Sequence, residues 1–235
     1  AAEAAEAFTA ALADFGYPPC PGGIMASRPE WRQTVSGFRS AIGGWVHGSD
    51  PEGPMNLAIF MDALPVAGDA RLLEELRAHM GRLMAGNDAY LAHFAGSVHS
   101  FSQDGSWWRR LPGLTGRAAA EIDIKKLGIF PLVQGTRALA LQYRLPQLST
   151  ADRLAALVEA GHMDAARARD LTDALHLLMA VKLDSNLAQL AEGRAPGNLI
   201  RLDALGTLNR QGLKQALAIV ADFRAWITQH FRLAV

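Results

Sequence analysis

The stretch AARARDLTDALHLLMAVKLDSNLAQLAEGRAPG, Ala165–Gly197, decides how the chain is built. Ala165–Glu192 runs without Gly or Pro and is rich in Ala and Leu, so it reads as one long helix. Gly193-Arg194-Ala195-Pro196-Gly197 is a stop, because Gly accepts the left-handed cap and Pro cannot continue a helix. Outward from it, Leu208–Arg232 and Pro131–Tyr143 also read as helices. Ser149–Ala160 does too, with Ser149 rather than Thr150 as the cap, followed by Arg153-Leu154 and Leu157-Val158. Further back, Ala70–Ala85 carries Leu72, Leu73, Leu76, Met80 and Leu83 on one side, and Ala89–Phe101 continues the helical period. Gln103–Thr115 reads as loop. Long helices with short connections favour an antiparallel bundle.

Upstream of Asp69 the pattern is mixed. Ala1–Phe15 is a helix of Ala and Glu, stopped by Gly16 and the Pro18-Pro19 pair. A Gly/Pro loop follows, to Ser27. Trp31, Val35, Phe38, Ile42 and Trp45 then fall at helical spacing. His47–Pro54 is a polar loop. Asn56–Asp62, NLAIFMD, is a short apolar run between breakers and is expected to be a strand. Two parts are therefore expected, residues 1–69 and 70–235.

The 235 residues are 50% hydrophobic, enough for a sizeable core, and Lys+Arg and Asp+Glu both number 23. That balance provides no global attraction to nucleic acid or an anionic membrane, and no apolar run is long enough to span one. Neither is expected as a partner. One cysteine, Cys20, suits a reducing cytoplasm, and it is expected to be a small buried packing group rather than a nucleophile. The chain begins on Ala without an initiator Met, as expected of a piece of a longer protein.

The seven histidines show no compact metal-ligand spacing. No GxSxG, GxGxxG or GxxxxGK[ST] occurs, so hydrolase, dinucleotide and P-loop readings lack support. Asp62 ends the apolar run, where a carboxylate either binds Mg²⁺ for phosphoryl chemistry or caps the following turn. Glu121–Lys126 alternates charge with apolar side chains. It reads either as an edge strand with one wet face, or as a lysine pair facing a phosphate. Arg137, on a helix of small residues, is expected to snorkel or pair with an acid. Trp107-Trp108-Arg109-Arg110 either stacks on a base or packs under a loop. Gly22-Gly23 permits a tight backbone path.

Taken in order, GYPPCPGGIMASRPEW, IFMDALPVAGD, EIDIKKLGIFPLVQGTRALAL, STADRL and LGTLNRQGLKQAL resemble one family. It comprises bacterial nucleotidyltransferase-like proteins that lie downstream of cyclic-nucleotide-binding and CBS regulatory domains. They are related to the PII uridylyltransferases and the glutamine-synthetase adenylyltransferases. The resemblance implies a mainly α chain: part of a polymerase β-like α/β domain, followed by an antiparallel helical substrate-binding domain. It implies transfer of a nucleoside monophosphate from a nucleoside triphosphate to a protein acceptor, with Mg²⁺, in bacterial signalling. Asp62 matches the third metal-binding, catalytic carboxylate. Asp123 and Lys125 resemble a DxK segment and Arg137 its downstream arginine, all implied substrate contacts, with Gly22 and Gly23 near the nucleotide.

The chain departs from that pattern. No DxD pair occurs; in the family it would precede Ala1. Gly105-Ser106 is followed by two Trp, and Leu64 and Leu127 replace an expected Arg and Gly. The chain alone is therefore expected to be inactive. The competing reading is a non-catalytic dimerising or ligand-sensing helical module, with a homodimer as its assembly.

Overall fold

The computed structural model describes residues 1–48, 51–100 and 121–234. The fold is mainly α, with one two-stranded sheet among the described residues. Two compact units divide the chain: residues 1–53 with 64–83, and residues 54–63 with 84–235.

The smaller unit holds α1 (Ala2–Asp14), a 3₁₀ turn (Pro29–Trp31), α2 (Val35–His47) and nearly all of α4 (Arg71–Met84). Gly16 ends α1 with φ +92°, where a side chain would be strained. Thr34 caps α2, its hydroxyl accepting from the Gly37 amide. The Trp31 and Trp45 rings stand 5.8 Å apart, and Arg39 pairs with Glu75 at 2.7 Å. Contrary to expectation, Cys20 is exposed, because the Gly/Pro loop carrying it forms turns on the surface.

NLAIFMD is not a strand. Residues Gly53–Met61 form helix α3, which opens with Gly53 and Pro54. Pro suits the first turn, where an amide proton has no helical partner. Leu57, Ala58, Phe60 and Met61 are all buried, so the run is apolar around most of its circumference. Such a run has no period to separate helix from strand.

The larger unit contains most of α3, α5 (Asp88–Gly96), β1 (Glu121–Asp123), a π-helical turn (Lys125–Ile129) and α6 (Phe130–Gln142). After these come α7 (Thr150–Glu159), α8 (Ala165–Ala191), β2 (Leu199–Arg201) and α9 (Thr207–His230). Ser149 caps α7 through the Asp152 amide, and Asp164 caps α8 through those of Ala166 and Arg167. Helices α8 and α9 run antiparallel: Leu177 packs beside Gly212, whereas Arg167, earlier on α8, lies over the Trp226 ring further along α9.

Helix α6 is the centre of this unit, with Leu132, Thr136, Ala138, Leu139 and Ala140 fully buried. Two glycines admit its neighbours. A methyl at Gly128 would stand 2.9 Å from Leu178, and one at Gly135 would stand 2.7 Å from Phe223. β1 pairs antiparallel with β2, Ile122 opposite Ile200, both buried. Glu121–Asp123 is thus a strand with one wet side, and its partner, β2, was not foreseen.

Candidate functional site

The site forms where the end of α3 meets α6 and α7. Asp62 follows the last turn of α3, its amide donating to the Ile59 carbonyl at 3.1 Å. Its carboxylate accepts from two guanidinium groups. Arg153 Nη2 donates to Oδ1 at 2.7 Å, and Arg137 Nη2 donates to Oδ2. These partners lie 91 and 75 residues away in sequence. The Arg153 side chain is 2% exposed, that of Arg137 18% and that of Asp62 32%, so the cluster opens to water on the Asp62 side.

Local chemistry places each group. Arg153 falls on the inward stripe of α7 with Leu157, and its Nε donates to the Gln147 carbonyl at 2.8 Å. Arg137 lies on α6 one turn after Gln134, whose Oε1 accepts from Arg137 Nη1 at 3.4 Å. Gln134 is 1% exposed. Gln134 Nε2 and Arg137 Nε are buried without a hydrogen-bond partner.

Within the larger unit, the expected site residues do not all converge on one place. Asp62 and Arg137 come together. Lys125, by contrast, is exposed at the start of the π-helical turn, twelve residues before Arg137. Asp123, the last residue of β1, accepts from the Lys126 amide at 2.9 Å and lies 3.7 Å from Lys126 Nζ. Its carboxylate thus holds the turn that opens toward α6. Gly22 and Gly23 lie in the loop of the smaller unit, where Gly23 has φ +72° and closes a turn onto the Cys20 carbonyl. Trp107, Trp108, Arg109 and Arg110 lie outside the described residues.

The donor set does not fit a divalent cation. Both oxygens of Asp62 face guanidinium groups, which compete with a metal for the same lone pairs. Among the described residues no three His, Cys, Asp or Glu side chains converge as ligands. Arg153 and Gln134 were missed at the level of sequence. The one available signal was an arginine placed within an apolar helical stripe.

Burial disfavours the charged form of two histidines elsewhere in this unit. His99 Nε2 lies 2.8 Å from Thr228 Oγ1, whose own proton goes to the Arg224 carbonyl, so His99 is the donor. Desolvation, and then the Arg224 charge, lower its pKa. His230 Nε2 lies 2.7 Å from Gln142 Oε1, and desolvation lowers its pKa too. A separate cleft of about 350 Å³ between α8 and α9 is lined by Arg167, Asp170, Asp222 and Phe223 among others. Among the described residues no helix is long and apolar enough to cross a membrane.

Residues 88–231 match the profile of the family described as "Putative nucleotidyltransferase substrate binding domain". Residues 1–52 match that described as "Putative nucleotidyltransferase DUF294". Comparisons with curated proteins and with solved structures give no match. The first profile covers more than half of the chain and contains α5 to α9, including Arg137 and Arg153. The chain therefore belongs to the family of nucleotidyltransferase substrate-binding domains, with a nucleotidyltransferase-type segment ahead of it.

Proposed function

We propose that this chain is the substrate-binding part of a bacterial signalling nucleotidyltransferase related to the PII uridylyltransferases. In the intact protein, a protein hydroxyl attacks the α-phosphorus of a nucleoside triphosphate. The new O–P bond forms as the α–β phosphoanhydride breaks; pyrophosphate leaves, and the hydroxyl proton passes to water. The observation that carries this reading is the pair of family matches in consecutive order along one chain.

In this reading Arg137 contacts the substrate, and Asp62 orients it rather than binding Mg²⁺. The Mg²⁺ expected of such chemistry belongs to carboxylates other than Asp62. Lys125, exposed in the turn ahead of α6, serves a different part of the substrate, and Asp123 holds the turn that presents it. Gly22 and Gly23 shape a backbone path for the nucleotide. Cyclic-nucleotide-binding and CBS regulatory domains upstream, and a cytoplasmic setting, complete the proposal.

The test is transfer of label from ATP and UTP by the full-length protein. Arg137→Lys is expected to reduce transfer at least tenfold, as loss of a charge-assisted hydrogen bond would. Transfer by neither nucleotide in the parent protein would refute the reading. A second reading is a dimerising module. It draws on Met179, Leu183, Leu187 and Leu190, exposed at helical spacing on α8. Sedimentation equilibrium of Leu183→Glu decides it, since a dimer through this row dissociates and a monomer is unaffected.

A further inference from the structure

We propose that Gln134 and Arg137 form a binding site for a phosphate-type oxyanion beside Asp62. The proposal rests on the reading of Arg137 as a substrate contact and names the group that it contacts. Its basis is a pair of unanswered donors. Gln134 Oε1 is turned toward Arg137 Nη1, which leaves Nε2 with both protons and no acceptor. Arg137 Nε is buried and equally without one. A buried N–H with no acceptor is costly, and native interiors rarely keep one. Here two occur on successive turns of one helix, at the same cluster.

The charge has the matching sign. Two guanidinium groups face one carboxylate here. Asp62 occupies Arg137 Nη2 and Arg153 Nη2, so its carboxylate holds Arg137 in place while Nε stays available. A tetrahedral oxyanion carries several acceptor oxygens and suits such charge-assisted donors. Entry is on the Asp62 side, where the cluster meets water.

The test titrates the full chain at constant ionic strength with inorganic phosphate, pyrophosphate, ATP, UTP and acetate. The readouts are calorimetry and the arginine Nε–H NMR signals. The Arg137 signal is identified by its loss in Arg137→Lys. Saturable binding of phosphate, pyrophosphate or nucleotide that moves this signal supports the site. Gln134→Met keeps the volume and removes the donor, and is expected to weaken binding about tenfold. An unchanged affinity in that variant overturns the proposal. So does a silent titration, which means that water answers both donors, and so does binding of acetate alone. Loss of labelled transfer in Arg137→Lys without any oxyanion binding overturns the site and leaves the wider reading standing. Oxyanion binding in a protein that transfers no nucleotide overturns the wider reading instead.

Discussion

Replacing Asp62 with Asn removes one negative charge from between two guanidinium groups while keeping the side-chain volume. Arg153 is the group most affected, since its side chain is 2% exposed and cannot recover hydration where it stands. Removing one partner of a buried pair costs about 3–5 kcal/mol. Asp62 is itself 32% exposed, and Asn keeps one acceptor oxygen, so the expected loss is smaller, about 2–3 kcal/mol. For a chain of this size that is a fall in Tm of roughly 4–12 °C. The assay is urea denaturation followed by far-UV circular dichroism, with a thermal melt alongside. Arg153→Met alone leaves Asp62 paired with Arg137 and removes the buried charge, so it should cost less. The double variant should recover part of the Asp62→Asn loss, because the more deeply buried of the two guanidinium charges is then gone. A parent and an Asp62→Asn variant that agree within about 0.5 kcal/mol would refute the reasoning, since an exposed, unimportant carboxylate behaves in that way.

Gly135→Ala should destabilise by about 1–2 kcal/mol in the same assay, because overpacking against buried Phe223 outweighs the better helix propensity of Ala. Gly81→Ala in α4 meets nothing within 4 Å and should stabilise by about 0.5–1 kcal/mol. The folded chain depresses the pKa of His99 and His230 below the ordinary histidine value of 6.5. Their neutral forms are therefore the ones that fit. The stability they contribute is fully present above about pH 6.5 and is lost as the pH falls through the lower folded values. Urea midpoints measured from pH 7.5 down to pH 5, to order of magnitude the histidine range, should fall, and His99→Gln with His230→Gln should flatten the slope. Tyr90 is 6% exposed with its hydroxyl unpaired, and burial pushes its pKa well up. Tyr90→Phe should leave the thermal midpoint unchanged or raise it by the equivalent of up to about 1 kcal/mol, and a clear fall would reveal a partner for the hydroxyl.

Where chemistry within a few residues settles the backbone, the sequence alone was enough. The stop at Gly16, the Ser149 cap, the long run of α8 and its end before Gly193 were all legible, because capping and chain-breaking act over one turn. Arg137 could be read as an arginine in need of an acid, because its helix offers few polar partners. Which acid it finds was decided by folding: Asp62, 75 residues away, reaches Arg137 only when α3 is laid against α6. The same packing made NLAIFMD a helix. A run buried around most of its circumference has lost the polar side that would announce its period, so only its neighbours choose between helix and strand. β2 was hidden for a related reason, since three residues carry too little pattern until Ile200 finds Ile122. Arg153 shows the limit most clearly. Its place on an apolar stripe was written in the sequence, but the carboxylate that makes that place tolerable is supplied only by the tertiary structure.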